Sequence, residues 1–474
     1  MPSRRDQIQS YQFAVQRVVS ALVAREADPA QTPLRRLVGA GLGSIMVAVI
    51  SLAAVGIFGL VTGRSGAGWR DGSSVIIERE TGAAFVYRDG VLIPTANFAS
   101  AMLLANSSRT VTVSRAQLAN EPRVPVVGIP NAPNSLPDPR RLLTGAWTLC
   151  TTPTSTPSGG QSATTAMLVG APAPGGRPLG QDEGLIVKVP TSEVLYLVWH
   201  GYRYRIGNIG IVLDALGMPN APRIAVGPAW LNALPQGQIM QPINQTGRGQ
   251  PFPRITEPAN VRVGQVLATG PEGAKVYFLV GTDQLRPLTE VEKEIVLRDP
   301  ATGAAYDGVP EARPWSGNAP GVTRAPAPPA SPDRWPDRRP EAAKLDRADA
   351  AICATHGDAR GVGTIVVDAS PSLGPAVPTP RRTSGGIPLV DATIVEPGRG
   401  AIVEAMPSPD ATSGTLVIVT DLGIRYAVPS LDVLRALGYA TVEPVRLPAN
   451  LVARLPEGPA LDPAVAAQPI QPTG

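Results

Sequence analysis

The stretch LYLVWHGYRYRIGNIGIVLDALGM, residues 195–218, returns near the end of the chain as LVIVTDLGIRYAVPSLDVLRALGY, residues 416–439. Aligned with small gaps, Gly201, Arg203, Tyr204 and the run Ala215, Leu216, Gly217 meet Gly423, Arg425, Tyr426 and the run Ala436, Leu437, Gly438. Each copy reads as an apolar strand, a glycine turn, a second short strand and a helix carrying the leucines. Self-similarity at this scale marks a supersecondary unit that is repeated. Weaker copies stand at AFVYRDGVLIPTANFASAMLLAN (84–106) and KVYFLVGTDQLRPLTEVEKEIVLRD (275–299), so four modules are expected.

The tails of the modules repeat as well. IAVGPAWLNALPQGQIMQP (224–242) follows the second copy, VRLPANLVARLPEGPALDP (445–463) the fourth, and VTVSRAQLANEP (111–122) the first. A larger period encloses these. Cys150 and Cys353 each precede a strand-like run (Thr165 to Val169, Thr364 to Val367), then another (Leu185 to Val189, Gly400 to Glu404), then a strong module. The order of module, cysteine segment and module, twice over, predicts an internal duplication about a pseudo-twofold axis, with the two cysteine segments paired in a central sheet. The halves are joined through ARPWSGNAPGVTRAPAPPASPDRWPDRRPEA (312–342). Its prolines suit an extended, semi-rigid strap rather than a packed element, with a proline-motif ligand for another domain as the alternative.

Upstream of the modules lies LVGAGLGSIMVAVISLAAVGIFGLVTG (37–63), without a charged residue. Taken as helix from Val38 to Val61 it is about 36 Å long, enough to cross a hydrocarbon core with some tilt. It is too long for a buried core helix and lacks the position and cleavage signal of a secretory leader. Six arginines (Arg4, Arg5, Arg17, Arg25, Arg35, Arg36) against three acids in the first 36 residues predict a cytosolic N-terminus, with everything after Gly63 outside. Gly39 and Gly43 form a G-x-x-x-G pair suited to helix packing, though glycine is also common in such spans. Before the span, Ile8, Tyr11, Val15, Val18 and Leu22 recur at spacings of three and four, with Asp6 as N-cap, Asp28 and Pro29 as terminators, and Thr32 with Pro33 opening the next helix. The polar face is rich in glutamine and only modestly basic, which favours docking on a protein over lying on lipid.

The formal charge of +4 belongs mostly to that N-terminal segment, so the external part is close to neutral and offers no nucleic-acid surface. Both cysteines fall outside the membrane, where disulfides persist, and are expected to pair; two unpaired buried thiols are the alternative. Catalytic signatures are missing. There are only two histidines, His200 and His356, no G-x-x-x-x-G-K-[ST] sequence and no complete G-x-S-x-G elbow, and no metal or cofactor is expected. The Arg203 and Tyr204 pair, repeated at Arg425 and Tyr426, is expected to hold each module together rather than bind an anion.

The N-terminal RDQ-x-x-x-Y-x-F-x-x-x-R segment (Arg5 to Arg17), PLRR (33–36), a single span, two external cysteines and repeated modules together resemble the EccB membrane component of the type VII (ESX) secretion system. The resemblance implies an α+β chain: a cytosolic amphipathic helix, one transmembrane helix and an elongated periplasmic domain of four ββα-type repeats around a central disulfide-linked β-sheet. It implies an inner-membrane, single-pass protein and a structural role, linking the cytosolic motor side to a periplasmic assembly. The implied partners are an FtsK-type ATPase, EccC, with EccD, EccE and a mycosin protease, in a hexameric machine holding several copies of the chain. A cell-wall (peptidoglycan) anchor is the alternative function, and an ATPase, as described for some family members, the second. The expected divisions are 1–36 (cytosolic helix), 37–63 (span), 64–140 (first repeat), 141–190 (first half of the central sheet), 191–245 (second repeat), 246–311 (third repeat), 312–342 (linker), 343–400 (second half of the sheet) and 401–474 (fourth repeat and tail).

Overall fold

The computed structural model describes residues 3–24, 33–62, 68–156, 159–372 and 376–470, in two compact units. In the first unit, a helix over Arg4–Ala24 carries the N-terminal stripe. It begins before Asp6, so Asp6 is not the N-cap: its carboxylate reaches back to accept from the Ser3 amide at 3.1 Å and from the Ser3 hydroxyl at 2.9 Å. Asp6 thus satisfies an orphan donor from the first turn, as the acidic member of a capping box does. The Asp28, Pro29 and Thr32 signals lie outside the described residues. A second helix spans Pro33–Thr62, about 45 Å at the α-helical rise. Its stretch Val38–Val55 is long and apolar enough to cross a membrane. Ser44 inside it donates to the Ala40 carbonyl at 2.7 Å, so the hydroxyl needs no water there.

The second unit contains the four modules apart from Tyr87–Gly90 of the first, each larger than the strand-turn-strand-helix expected. In the second module, Glu183–Lys188 pairs antiparallel with Leu195–Trp199, which turns through Gly201 into Tyr202–Arg205. The helix Ile209–Leu216 follows, and Arg223–Ala225 returns parallel to Glu183–Lys188. The fourth module repeats this with Ala401–Met406, Thr415–Val419, Arg425–Val428, the helix Leu431–Ala436 and Val445–Pro448. The first uses Val75–Glu78, Ala84–Arg88, Val91–Pro94, the helix Phe98–Ala105 and Thr110–Val113. The third uses Val266–Thr269, Val276–Val280, Gln284–Leu288, the helix Glu290–Arg298 and Arg313–Pro314. A polar side chain caps each of these four helices, accepting from the backbone three residues on: Asn97 from Ser100, Asn208 from Ile211, Thr289 from Glu292 and Ser430 from Val433. Such caps contribute about 1 kcal/mol each.

The extra first strand corrects one expectation. The run Leu185 to Val189 was expected in the first half of the central sheet; Glu183–Lys188 instead lies inside the second module's sheet, as Ala401–Met406 lies inside the fourth's, each hydrogen-bonded on both sides by its own module. Both are apolar on consecutive residues because both faces are covered. The strap is also more than a spacer. Thr323–Arg324 adds a parallel strand to the third module and Glu341–Ala342 adds one to the second. Its carbonyls and amides are used by the modules it crosses, and it turns at Pro332 and Asp333, where the Arg334 amide donates to the Ser331 carbonyl at 3.1 Å.

At the centre lies a seven-stranded sheet. Trp147–Ser155 and Ala351–His356 run antiparallel in its middle, with Cys150 directly opposite Cys353. Gln161–Leu168 and Thr364–Ala369 flank them. At one edge Arg177–Pro178, from the first half, pairs with Thr364–Ala369 of the second. Its counterpart, Val377–Pro378, does not reach Gln161–Leu168 because Ala392–Ile394 is inserted between them. The twofold relation is therefore good at the centre and broken at one edge.

The core places the modules. Val187 and Trp230 of the second module and Val403, Leu447 and Leu451 of the fourth pack with Trp147, Leu149 and Met167 of the sheet. Val75, Val86 and Met102 of the first module share a core with Ile418, Leu434 and Leu437 of the fourth. Leu197, Leu213 and Leu216 of the second share one with Val291 and Ile295 of the third. The two halves are interleaved: each outer module packs on the inner module of the other half.

Candidate functional site

The Arg-Tyr repeat is a lock built across sequence. The Arg203 amide donates to the Pro235 carbonyl at 3.0 Å and its carbonyl accepts from the Gly237 amide at 2.9 Å. Arg425 makes the same pair with Pro456 and Gly458, at 2.9 and 2.9 Å. The following tyrosines, Tyr204 and Tyr426, are buried against those glycines. A Cβ on Gly237 would stand 2.3 Å from the Tyr204 ring, and one on Gly458 2.2 Å from the Tyr426 ring. The repeated P-x-G of the tails is thus the seat of the repeated tyrosine, and it covers the hairpin edge that would otherwise be open. The Arg203 guanidinium donates to Asn232 and lies 5.9 Å from the Tyr196 ring, while burial pushes its pKa down. The Arg425 guanidinium meets Glu457 at 2.6 Å and the Leu455 carbonyl at 3.2 Å. These contacts are internal to each module.

Cys150 and Cys353 are joined in a disulfide with both residues buried. At the other side of the core, Asn450 of the fourth module donates to the Ala233 carbonyl of the second at 2.8 Å. The sheet and the two inner modules are therefore tied by a covalent bond, a shared core and a direct hydrogen bond.

The remaining singled-out residues present surface. In the N-terminal helix, Ile8, Tyr11, Val15, Val18 and Leu22 are all exposed, from 43% for Val15 to 77% for Leu22. Phe13, which the stripe of threes and fours passes over, is 65% exposed as well. Gly39 and Gly43 have no other atom within 4 Å of where a Cβ would stand. Neither histidine joins a site. His200 sits in the hairpin turn at φ +47, stacked on Trp199, with Nε2 2.8 Å from the Gln181 carbonyl. His356 is buried opposite Trp147, and desolvation pushes its pKa down to about 4. Among the described residues no group of three or more His, Cys, Asp or Glu is placed to hold a metal. A cavity of about 1290 Å³ runs between the hairpin end at Pro153 to Ser155, the loop Gly217 to Ala225 and the strap end at Ala342 to Leu345. Its charged lining, Arg223, Lys344 and Asp349, offers no paired acid and base.

A family model described as "Type VII secretion system ESX-1, transport TM domain B" matches residues 1–470. The chain is 26% identical to the "ESX-3 secretion system ATPase EccB3" of Mycolicibacterium smegmatis, over 96% of this chain and 89% of that protein. It is 25% identical to the "ESX-1 secretion system ATPase EccB1" of Mycobacterium tuberculosis, over 96% and 92%. Among solved structures, a chain of the periplasmic assembly of the ESX-5 inner membrane complex superposes with a TM-score of 0.60 at 25% identity, over 86% of this chain and 99% of that one. A chain of the intact ESX-5 inner membrane complex shares the fold over 100% of this chain and 97% of its own length, with a TM-score of 0.64. With the family match running essentially end to end and the duplicated, disulfide-linked architecture in place, the chain belongs to the EccB family of type VII secretion membrane components.

Proposed function

We propose that this chain is a structural subunit of a type VII (ESX) secretion complex of the inner membrane, joining a cytosolic motor side to a periplasmic assembly. The observation that carries the reading is one apolar span among the described residues, with an exposed apolar helix before it and, after it, modules bound into one interleaved and cross-linked body. A body of this kind supports neighbours. Structures of related chains within the ESX-5 inner membrane complex and as an ESX-3 dimer support an assembly role. In this reading the N-terminus is cytosolic, the modules are periplasmic, and EccC, EccD, EccE and the mycosin protease are the neighbours. The names of the relatives include the word ATPase, but no Walker-type loop occurs in this sequence.

The N-terminal helix supplies the test. Ile8, Tyr11, Val15, Val18 and Leu22 form an apolar stripe that a partner groove would bury, with Gly39 and Gly43 as a second contact inside the membrane. Val15→Asp with Val18→Asp should release the full-length chain from its motor-side partners on affinity purification in mild detergent, while the disulfide-linked modules stay folded. A carboxylate left unpaired in such a groove costs several kcal/mol, enough to break an ordinary contact. Retention of every partner by the double variant would refute the docking-helix reading.

A further inference from the structure

We propose that the junction of the second and fourth modules is an oxyanion site, where Arg203 and Arg454 receive a dianionic phosphate group from outside the chain. The two inner modules differ there in one telling position. Arg203 lies beside Gln236 in a parallel bridge, as Arg425 lies beside Glu457. In the fourth module the acid is used, with Arg425 Nη2 2.6 Å from the Glu457 carboxylate. In the second module the same place holds a neutral glutamine, so Arg203 has lost its counter-charge. Its Nη1 donates to Asn232, and its Nε is buried without an acceptor. The fourth module adds a further cation, Arg454, where the aligned residue of the second is Ala233. Arg454 is only 8% exposed, and its guanidinium donates to two backbone carbonyls, Asn450 at 2.8 Å and Pro388 at 3.0 Å. Among the described residues neither Arg203 nor Arg454 forms an ion pair, and Arg454 Nη2 donates to no protein group.

A row of hydrogen bonds carries one arginine to the other across the junction. Arg203 holds Asn232; the next residue, Ala233, accepts from Asn450 Nδ2 at 2.8 Å; and the Asn450 carbonyl accepts from Arg454 Nε. Burial, and after it the like charges of Arg203 and Arg425, push the Arg454 pKa down. A guanidinium does not escape such surroundings by losing its proton, so the charge stays and asks for a partner. Three guanidiniums meet here and one carboxylate, Glu457, answers them. Two positive charges are left over, in a place where charges are ordinarily paired. A phosphate dianion supplies both missing charges on one centre, with oxygens spaced for the guanidinium fork. Asn232 and Asn450 are half-buried, so the row reaches the surface, and Arg381 and Arg382 are exposed on the loop that presents the Pro388 carbonyl. Their charge draws anions toward the junction.

The test uses the full-length chain in detergent, in a chloride buffer of fixed ionic strength, titrated with inorganic phosphate by calorimetry at pH 7.5. Saturable binding of one phosphate per chain is expected, with acetate at least tenfold weaker. Gln236→Glu restores to the second module the acid that the fourth one has, at an exposed position that does not threaten the fold. It should weaken phosphate binding at least tenfold and raise the thermal midpoint of the unliganded chain. Gln238→Glu places the same charge two residues on, also exposed, and should change binding by less than threefold. Glycerol 3-phosphate separates the two sources of the group: binding within threefold of phosphate assigns a carried phosphate, and its exclusion assigns the free ion. No saturable phosphate binding, acetate binding as tight as phosphate, or equal effects of Gln236→Glu and Gln238→Glu would overturn the proposal.

Discussion

Substituting Gly458→Ala tests whether the tyrosine seat holds the fourth module together. The added Cβ would lie 2.2, 2.6 and 3.0 Å from three carbons of the Tyr426 ring, all far inside van der Waals contact. Tyr426 is 4% exposed and packs with Ile418, Val428 and Leu434, so the ring cannot swing away without disturbing a core shared with the first module. Overpacking of this kind costs about 1–3 kcal/mol. At about 2 kcal/mol the opening of the strand Arg425–Val428 becomes about thirty-fold more populated, since each 1.4 kcal/mol is tenfold. Native-state hydrogen exchange reads this directly. The amides of Arg425 and Gly458, which bond across the seat, should lose protection by that factor, while those of Val276–Val280 in the third module keep theirs. Gly308→Ala, where a Cβ meets no atom within 4 Å, is the control and should change protection little. Equal, small effects at Gly458 and Gly308 would refute the reasoning.

Two further perturbations address the centre of the molecule. Replacing Cys150 and Cys353 with alanine opens a link between residues 203 apart, worth up to about 5 kcal/mol on the loop-entropy account; a thermal midpoint unchanged by the substitution or by reductant would contradict that role. His356 is held neutral by burial, its pKa lowered to about 4 from an ordinary value near 6.5. The unfolded chain therefore binds this proton first, so the stability it contributes is intact above pH 6.5 and falls by about 3 kcal/mol as the pH drops to 4. His356→Leu should flatten that part of the pH profile measured by chemical denaturation, and an unaltered profile would count against the assignment.

Much of this architecture is legible in the sequence. Strand, glycine turn and helix are set by neighbours within about ten residues, so the copies at 195–218 and 416–439 declare themselves through Gly201, Tyr204 and their partners in the second copy. What the sequence hides is long-range pairing. The run at 185–189 carries the same apolar pattern whether it joins the central sheet or its own module, and only the partner strand decides. Arg203 and the Pro235 to Gly237 turn both repeat visibly, yet the repetition does not say that one sits on the other. In the strap, proline content signals an extended connection, but the docking of Pro332, Asp333 and Arg334 depends on donors and acids from two modules. The N-terminal helix reads clearly as amphipathic because its periodicity is local, although its exposed Phe13 lies off the periodic positions.

The interleaving of the halves has a consequence for biogenesis. Val75, Val86 and Met102 of the first module are buried against Ile402, Ile418 and Leu434 of the fourth, which leave the ribosome about 300 residues later. At about 5–20 residues per second, the early apolar face waits about 15–60 s for its covering. During that interval it is a target for aggregation or premature pairing with another emerging copy. The chain thus places a timing demand on its own synthesis: the first module must be kept apart from other apolar surfaces until the C-terminal one arrives.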